Sequence, residues 1–163
     1  MYKRQRLDYK NELSEGLGIK KEIFQQYPDN YSILKAYSIW GEDCVKHLYG
    51  DFSFAIWNRR KKELFCARDH FGIRPLYFYN HPDYFIFSSD FQVFNKIPNI
   101  TLHIKEKFII NTVCTITPEK DSSAYYELYK LEPAHTLKID KNGTISISKY
   151  WDCLLYTSDA ADE

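Results

Sequence analysis

Residues 50–78, GDFSFAIWNRRKKELFCARDHFGIRPLYF, contain two apolar runs that are separated by a basic one. The first run, residues 51–57, alternates like a strand and is mostly apolar on both faces, which is typical of a strand that is covered on both sides. The basic run, residues 58–62, is too charged to bury and leads into a second strand at 63–67. The segment therefore predicts a β-hairpin at the centre of the fold.

Charged residues follow this hairpin in an otherwise apolar stretch. Arg68, Asp69 and Arg74 lie among aromatic, aliphatic and glycine residues before Leu76. Charged groups beside an apolar strand are costly to desolvate unless they bond to each other or to exposed carbonyls. We therefore expect Asp69 and at least one of the two arginines to form a structural network that braces the turn.

The composition is that of a globular domain without a charge bias. Of 163 residues, 44% are hydrophobic and 17% are aromatic, which is enough for a core. Lys and Arg together number 22, as do Asp and Glu, so charge gives no reason to expect nucleic acid or an anionic membrane as a partner. The apolar runs are shorter than the ~18 residues of a membrane span and no apolar signal core is present, so a cytoplasmic protein is predicted.

Periodicity predicts helices before the central hairpin and further strands after it. The helices are expected at 9–17, 31–40 and 41–49, and the further strands at 76–79, 84–87, 137–139 and 145–148. Ser89 or Asp90 is expected to cap another helix. Asn142 and Gly143 predict a tight primed turn between the last two strands. Residues 96–124 stay unassigned.

The two ends of the chain differ from the rest. MYKRQ at residues 1–5 and CLLYTSDAADE at residues 153–163 resemble the translated ends of a sequencing adaptor. We exclude such segments from the fold, which leaves residues 6–152 as the domain. Leu154 and Leu155 are therefore expected to lie outside the core.

A family resemblance rests on three neighbouring motifs. ARDHFGIRPLYF at 67–78, preceded by LYGDFSFAIWN at 48–58 and followed by FIFSSD at 85–90, resembles the glutaminase (class II glutamine amidotransferase) domain of glutamine-hydrolysing asparagine synthetases and their relatives. A looser match extends over residues 6–152, where KYWD resembles the join to the synthetase domain of the family. The resemblance implies an α+β fold, an αββα sandwich of the N-terminal-nucleophile hydrolase type that is incomplete at its N-terminus.

Asp29 is the one candidate ligand-binding residue. It stands at the start of the predicted helix 31–40, where a carboxylate accepts free amide groups and is favoured by the helix dipole. It also stands twelve residues before Gly41. At this spacing it resembles the aspartate of the family that receives the α-ammonium group of the substrate glutamine. Both roles stay open, and they are compatible.

No catalytic residue is predicted in this chain. In the family, an N-terminal cysteine attacks the side-chain amide of glutamine while its own α-amine acts as the base. Here Tyr2 follows Met1, and Arg4 and Gln5 stand where the family has the asparagine and glycine of its oxyanion hole. Cys114 has no base near it in the sequence.

The other cysteines and histidines give no metal site. Cys44 and Cys66 have the pattern of core residues, and the four cysteines are too scattered for a disulfide framework. His103 and His135 have no metal-ligand partner at a suitable spacing. We therefore predict no metal in this chain.

The resemblance implies a function for the parent protein. Its glutaminase domain would hydrolyse glutamine and supply ammonia to a C-terminal synthetase domain, which amidates a carboxylate with ATP and magnesium, as in asparagine synthesis from aspartate. This chain would bind glutamine and hold no cofactor of its own. Arg6-Leu7-Asp8, where true asparagine synthetases more often have Glu-Ile-Tyr, keeps open a non-hydrolytic scaffold domain of a lasso-peptide cyclase or β-lactam-synthetase-like protein. A free-standing binding module is a third reading.

We expect this chain to release no ammonia from glutamine. Losing one oxyanion donor costs on the order of 10²–10³ in rate, and losing the nucleophile removes the covalent route. The measurement is ammonia production by the purified protein, with Cys114→Ala as the matched variant. Turnover that Cys114→Ala abolishes would contradict this expectation and make Cys114 the nucleophile.

Overall fold

The computed structural model describes residues 2–116 and 123–153, and of residues 2–4 the backbone only. The helices are α1 (Lys10–Gly16), α2 (Lys21–Phe24), α3 (Asp29–Trp40) and α4 (Glu106–Val113), with 3₁₀ helices at Gly41–His47 and Phe91–Lys96. The strands are β1 (Tyr2–Asp8), β2 (Tyr49–Asn58), β3 (Glu63–Arg68), β4 (Tyr77–Asn80), β5 (Phe85–Ser88), β6 (Tyr129–Lys130), β7 (His135–Ile139) and β8 (Ile145–Lys149).

The described strands form a large and a small antiparallel sheet. The large sheet has the order β1-β2-β3-β7-β8, and the small sheet has the order β5-β4-β6. Strands β2 and β3 pair from Ser53 opposite Arg68 to Asn58 opposite Glu63, which confirms the predicted central hairpin. The second predicted hairpin is confirmed as β4 and β5.

One face of the large sheet packs against helices α1–α3. Phe52, Phe54 and Ile56 alternate along β2 on this face and are buried. They share a core with buried residues of the helices and of the 3₁₀ helix that follows, namely Leu13, Leu17, Phe24, Ile33, Ala36, Cys44 and Val45. Because each fully buried large apolar side chain contributes about 1.5–3 kcal/mol, apolar burial is what holds these helices to the sheet.

The opposite face of the large sheet packs against the small sheet. Ala55 and Cys66 enter this second core from β2 and β3, and Phe78 enters it from β4. Both faces of β2 are therefore apolar because both are covered. Trp57 differs from this expectation, since it is 55% exposed. The strands of the small sheet are two to four residues long, too short to cover the whole of the ten-residue β2.

The outer face of the small sheet carries a further helical layer. Strand alternation directs Phe78 into the core between the sheets and its neighbour Tyr77 outward. The Tyr77 ring lies 5.9 Å from the ring of Phe91 in the second 3₁₀ helix. Both rings line a cavity with Phe108 of α4. The layers are thus helix, sheet, sheet and helix, and the predicted α+β sandwich is confirmed.

The edge strand β1 includes residues that we expected outside the fold. Its backbone pairs with β2 from Tyr2 opposite Ala55 to Asp8 opposite Tyr49. Residues 2–5 therefore take part in the large sheet, which corrects that expectation, because backbone pairing does not require apolar side chains. The domain limits and the adaptor-like origin of both ends stay predictions, and residues 154 and 155 lie outside the described part of the chain.

Gly50 allows β1 and β2 to approach each other closely. It has a φ of 126°, and a Cβ atom at this position would lie 2.2 Å from the carbonyl oxygen of Arg6. Only glycine fits such an approach without moving the backbone. Gly50 therefore sets the register at the end of β1, where it lies opposite Leu7.

The other predicted elements are correct in type and differ in detail. The predicted helices 9–17 and 31–40 correspond to α1 and α3, and the third is a 3₁₀ helix. Asp90 caps the second 3₁₀ helix by accepting a hydrogen bond from the N–H of Gln92 at 2.9 Å. The unassigned region contains α4.

None of the helices that the structure describes is both long and apolar enough to cross a membrane.

The last hairpin is confirmed, but its predicted tight primed turn is wrong. A primed type I turn needs positive φ at both central residues, whereas here Gly143 has a φ of 82° and Asn142 is not in the positive-φ region. The Asp140 carboxylate instead accepts hydrogen bonds from the N–H groups of Asn142 at 2.8 Å and Thr144 at 2.9 Å. An aspartate side chain that bonds its own loop therefore selects a longer connection.

Candidate functional site

Asp29 lies where the end of β1 meets the start of α3. Its Oδ2 atom accepts a hydrogen bond from the N–H of Leu7 at 3.1 Å. Its Oδ1 atom lies 2.6 Å from Nζ of Lys10, which also donates to the carbonyl oxygen of Tyr27 at 3.1 Å. The side chains of Lys10 and Asp29 are each about a quarter exposed. The Asp29 carboxylate is thus a half-buried anion that holds a primary ammonium group.

Of the two roles expected for Asp29, the structure contradicts the role as N-cap of α3. Asp29 is the first residue of α3, the N-cap position is Pro28, and no side chain caps the helix there. The carboxylate therefore does not act as an N-cap, although it still lies at the positive end of the helix dipole. Its bonds to Leu7 and Lys10 connect the start of α3 with the end of β1. Because Lys10 is nineteen residues from Asp29 in the sequence, helical periodicity gave no signal for this pair.

Buried polar atoms without partners occur on the two elements that meet at Asp29. In the described part of the chain, both amide atoms of Gln5 in β1 are buried without a hydrogen bond, as are Oδ1 of Asn30 and Oγ of Ser32 in α3. Buried polar groups in native proteins nearly always have partners. The Gln5 amide stands at one of the two oxyanion-hole positions that the resemblance implies, and it offers a donor and an acceptor.

Asp69 holds the turn between β3 and β4 through backbone groups. It is 1% exposed. Oδ1 accepts hydrogen bonds from the N–H groups of Phe71 at 3.1 Å and Ile73 at 2.9 Å, and Oδ2 accepts one from the N–H of Arg74 at 2.9 Å. The main chain of Asp69 also donates to the carbonyl oxygen of Phe52 at 2.8 Å. The carboxylate of Asp69 therefore orders the turn, and its main-chain N–H ties the turn to β2.

Arg68 holds the same turn from its other side. Its guanidinium group is buried and donates to the carbonyl oxygens of Gly72, Arg74 and Leu131. Burial lowers the pKa of Arg68, and the nearby Asp69 charge opposes this effect. Of the two arginines expected in the network, Arg68 takes part through its side chain and Arg74 through its main chain. Among the described residues, Nε of Arg74 is buried without a hydrogen-bond partner.

An aromatic cleft lies beside the Asp29 site, at the same end of β1. Its volume is about 350 Å³, and it is lined by Asp8, Tyr9, Tyr49, Gly50, Asp51, His70, Phe71 and Trp151. The His70 ring stacks on Tyr49 at 5.7 Å, with 1° between the ring planes, and meets the edge of Trp151 at 5.1 Å. Burial lowers the pKa of His70 below its ordinary value of 6.5, although Asp69 raises it. His70 is therefore held mainly as a neutral ring at pH 7.

Cys44, Cys66 and Cys114 place no reactive thiol at Asp29. Burial raises the pKa of Cys44 and of Cys66 to about 12, so both are protonated. Cys114 is exposed and follows α4, on the side of the small sheet. Asp29 lies on the other side of the sandwich, at the start of a helix that packs on the large sheet. Cys153 is also exposed.

The histidines that we considered for metal binding have other partners. Nδ1 of His103 lies 2.7 Å from Oε1 of Glu127. Nδ1 of His135 lies 2.7 Å from the carbonyl oxygen of Pro133. In residues 2–116 and 123–153, no group of three or more His, Cys, Asp or Glu side chains could hold a metal ion.

Comparison with known proteins gives a family match over most of the chain. The sequence profile of the glutamine amidotransferase domain matches residues 8–151. The match includes Asp29, Lys10 and the turn that Arg68 and Asp69 hold.

Two relatives are glutamine-hydrolysing asparagine synthetases of Bacillus subtilis strain 168. Asparagine synthetase 3 is 28% identical over 152 residues, which cover 88% of this chain and 24% of that protein. Asparagine synthetase 1 is 31% identical over 140 residues, which cover 86% of this chain and 22% of that protein. The chain thus spans about a quarter of the length of these relatives.

The fold is also that of a solved amidotransferase. Glutamine phosphoribosylpyrophosphate amidotransferase from B. subtilis superposes with a TM-score of 0.60 at 17% identity, over 92% of this chain and 28% of that one. At this identity the likeness concerns the fold alone.

Replacing Asp69 by alanine should destabilise the protein by about 3–5 kcal/mol, because three part-buried N–H groups lose their acceptor and the buried Arg68 loses a nearby counter-charge. The measurement is the free energy of unfolding in urea. Asp140→Ala is the matched control, since Asp140 also accepts two backbone N–H groups but in an exposed turn, and it should cause a clearly smaller loss. Equal losses for the two variants would show that burial of the Asp69 bonds contributes nothing.

His70 should make stability fall in acid. Its pKa is lowered in the folded protein, so below a pH of about 6.5 the unfolded chain binds more protons and the free energy of unfolding decreases. His70→Phe keeps an aromatic ring against Tyr49 and should reduce the loss of stability between pH 8 and pH 5. At pH 8 the histidine is neutral in both states, so the two proteins differ there only in packing. Parallel pH profiles would contradict this assignment.

Proposed function

The chain belongs to the glutamine amidotransferase domain family, and we propose that it is the glutaminase domain of an asparagine-synthetase-like amidotransferase. The observation that carries this proposal is the carboxylate of Asp29, which is fixed at the end of β1 and already holds an ammonium group. Glutamine carries an α-ammonium group of the same chemistry. Asp29 is therefore the anchor for the amino-acid end of glutamine.

The parent protein would couple two reactions. Its glutaminase domain releases ammonia from glutamine, and its C-terminal synthetase domain uses ATP and magnesium to activate the carboxylate that receives the nitrogen. Both named relatives are glutamine-hydrolysing asparagine synthetases about four times as long as the matched part. Aspartate as the acceptor and asparagine as the product are therefore the expected reaction of the parent.

Within this chain, the proposed roles divide between binding and support. Asp29 binds the substrate ammonium group. Asp69 and Arg68 act at a distance from it, because they fix the turn through which β3 passes to the small sheet. They are positioning residues and do not contact glutamine.

The proposal predicts weak glutamine binding that depends on Asp29. We expect a dissociation constant in roughly the millimolar range, which corresponds to a binding free energy of about −4 kcal/mol. Asp29→Asn keeps an oxygen for the Leu7 N–H but removes the charge, and it should abolish measurable binding. The measurement is a glutamine titration that follows the backbone amide signal of Leu7 by NMR, because this N–H bonds directly to Asp29.

Two controls make this titration specific. Asp43→Asn removes an equally negative but exposed carboxylate, which pairs with Lys46 at 2.6 Å, and should leave binding unchanged. Glutaramic acid, which is glutamine without its α-ammonium group, should not shift the Leu7 signal. Undiminished binding of glutamine by Asp29→Asn, or equal binding of glutaramic acid, would contradict the role of Asp29.

A further inference from the structure

The ammonium group at Asp29 belongs to the protein itself. Nζ of Lys10 lies 2.6 Å from Oδ1 of Asp29 and donates a second hydrogen bond to the carbonyl oxygen of Tyr27 at 3.1 Å. A carboxylate and a carbonyl are the acceptors that a substrate α-ammonium group also needs, since such a group only donates. Lys10 thus occupies an ammonium site that is built by Asp29 and by the residues just before α3.

We propose that Lys10 is an internal competitor for this site, and that Nζ must leave Oδ1 of Asp29 before the α-ammonium group of glutamine binds there. This inference rests on the proposed role of Asp29. Two ammonium groups on one carboxylate repel each other, and Lys10 already neutralises the charge that would attract the substrate. Lys10 therefore sets the affinity of the site for amino acids without contacting the reacting amide.

The geometry allows Lys10 to leave without disturbing the carboxylate. The Lys10 side chain is 25% exposed, so its head group can reach water by rotation of its own stem. Asp29 stays oriented because the N–H of Leu7 still binds Oδ2. Leu7 in turn is fixed by the register of β1 against Gly50. The Asp29 carboxylate is thus held by Leu7 at Oδ2, and Oδ1 is covered by the partly exposed Lys10 side chain.

Removing the Lys10 charge should therefore tighten glutamine binding. Lys10→Met keeps most of the aliphatic stem and should lower the dissociation constant by roughly two- to fivefold, the factor that a partly exposed ion pair supplies. Lys10→Arg keeps the positive charge and should bind glutamine about as weakly as the unchanged protein. The measurement is the same NMR titration of the Leu7 amide, together with a thermal melt of each variant to confirm that it is folded.

A control variant separates the local effect from the loss of a positive charge. Lys21 forms an ion pair with Glu15 at 2.6 Å, equal in length to the pair of Lys10 with Asp29 but on exposed helix surfaces. Lys21→Met should leave the dissociation constant unchanged. An equal gain in glutamine affinity for Lys21→Met would mean that the change in net charge causes the effect, and the inference would be wrong.

A second readout follows Lys10 directly in the unchanged protein. Glutamine should shift the ¹³Cε signal of Lys10 as its ammonium group moves from Asp29 to water, and glutaramic acid should not. A Lys10 signal that stays constant while Leu7 shifts would show that glutamine binds without displacing Lys10, which overturns the inference.

A double variant distinguishes failure of this inference from failure of the proposed function. In Lys10→Met with Asp29→Asn, the gain in affinity should disappear. Lys10→Met could have the same dissociation constant for glutamine as the unchanged protein, while Asp29→Asn alone loses binding. In that case the competitor role of Lys10 is wrong and the role of Asp29 stands. If the double variant binds as tightly as Lys10→Met, glutamine does not use Asp29 and both proposals fail. If Lys10→Met binds no glutamine, displacement of Lys10 opens no site and the inference is overturned.

Discussion

Asp69 and Arg68 are adjacent buried charges of opposite sign, and both bind the backbone of one turn. Asp69 takes three N–H groups of residues 71–74, and Arg68 takes carbonyl oxygens of that turn and of Leu131. The chain passes from β3 of the large sheet to β4 of the small sheet across this turn. Tyr150, after β8, also donates to the carbonyl oxygen of Arg68 at 2.8 Å. The stacking of the two sheets therefore depends on charges whose burial costs are offset by these bonds.

The turn held by Asp69 and Arg68 is connected to the Asp29 site through β2 and β1. The N–H of Asp69 binds the carbonyl oxygen of Phe52, and Gly50 two residues earlier sets the register of β1. That register presents the N–H of Leu7 to Asp29. The Asp29 carboxylate is thus held between the backbone of β1 and the first turn of α3, and Lys10 contacts it through its side chain.

The sequence predicted the features of the structure that arise from local patterns. The alternation in residues 51–57 predicted a strand covered on both faces, and the structure places a core on each. The partner of Lys10 could not be predicted in this way, because an ion pair across nineteen residues leaves no periodic signal. The pairing of residues 2–5 was missed for a related reason, since edge-strand pairing is made by backbone groups and carries no side-chain signature. The loop at Asp140 was misjudged because its side chain, and not Asn142 with Gly143, decides the turn.

We propose Asp29 as the ammonium anchor of a glutaminase domain. The most direct test is a crystal structure of the chain with glutamine bound. We expect the α-ammonium nitrogen at about 3 Å from Oδ1 of Asp29, with Nζ of Lys10 displaced from that oxygen. Glutamine seated away from Asp29, or bound there with its amide end while Lys10 keeps its present contact, would contradict it.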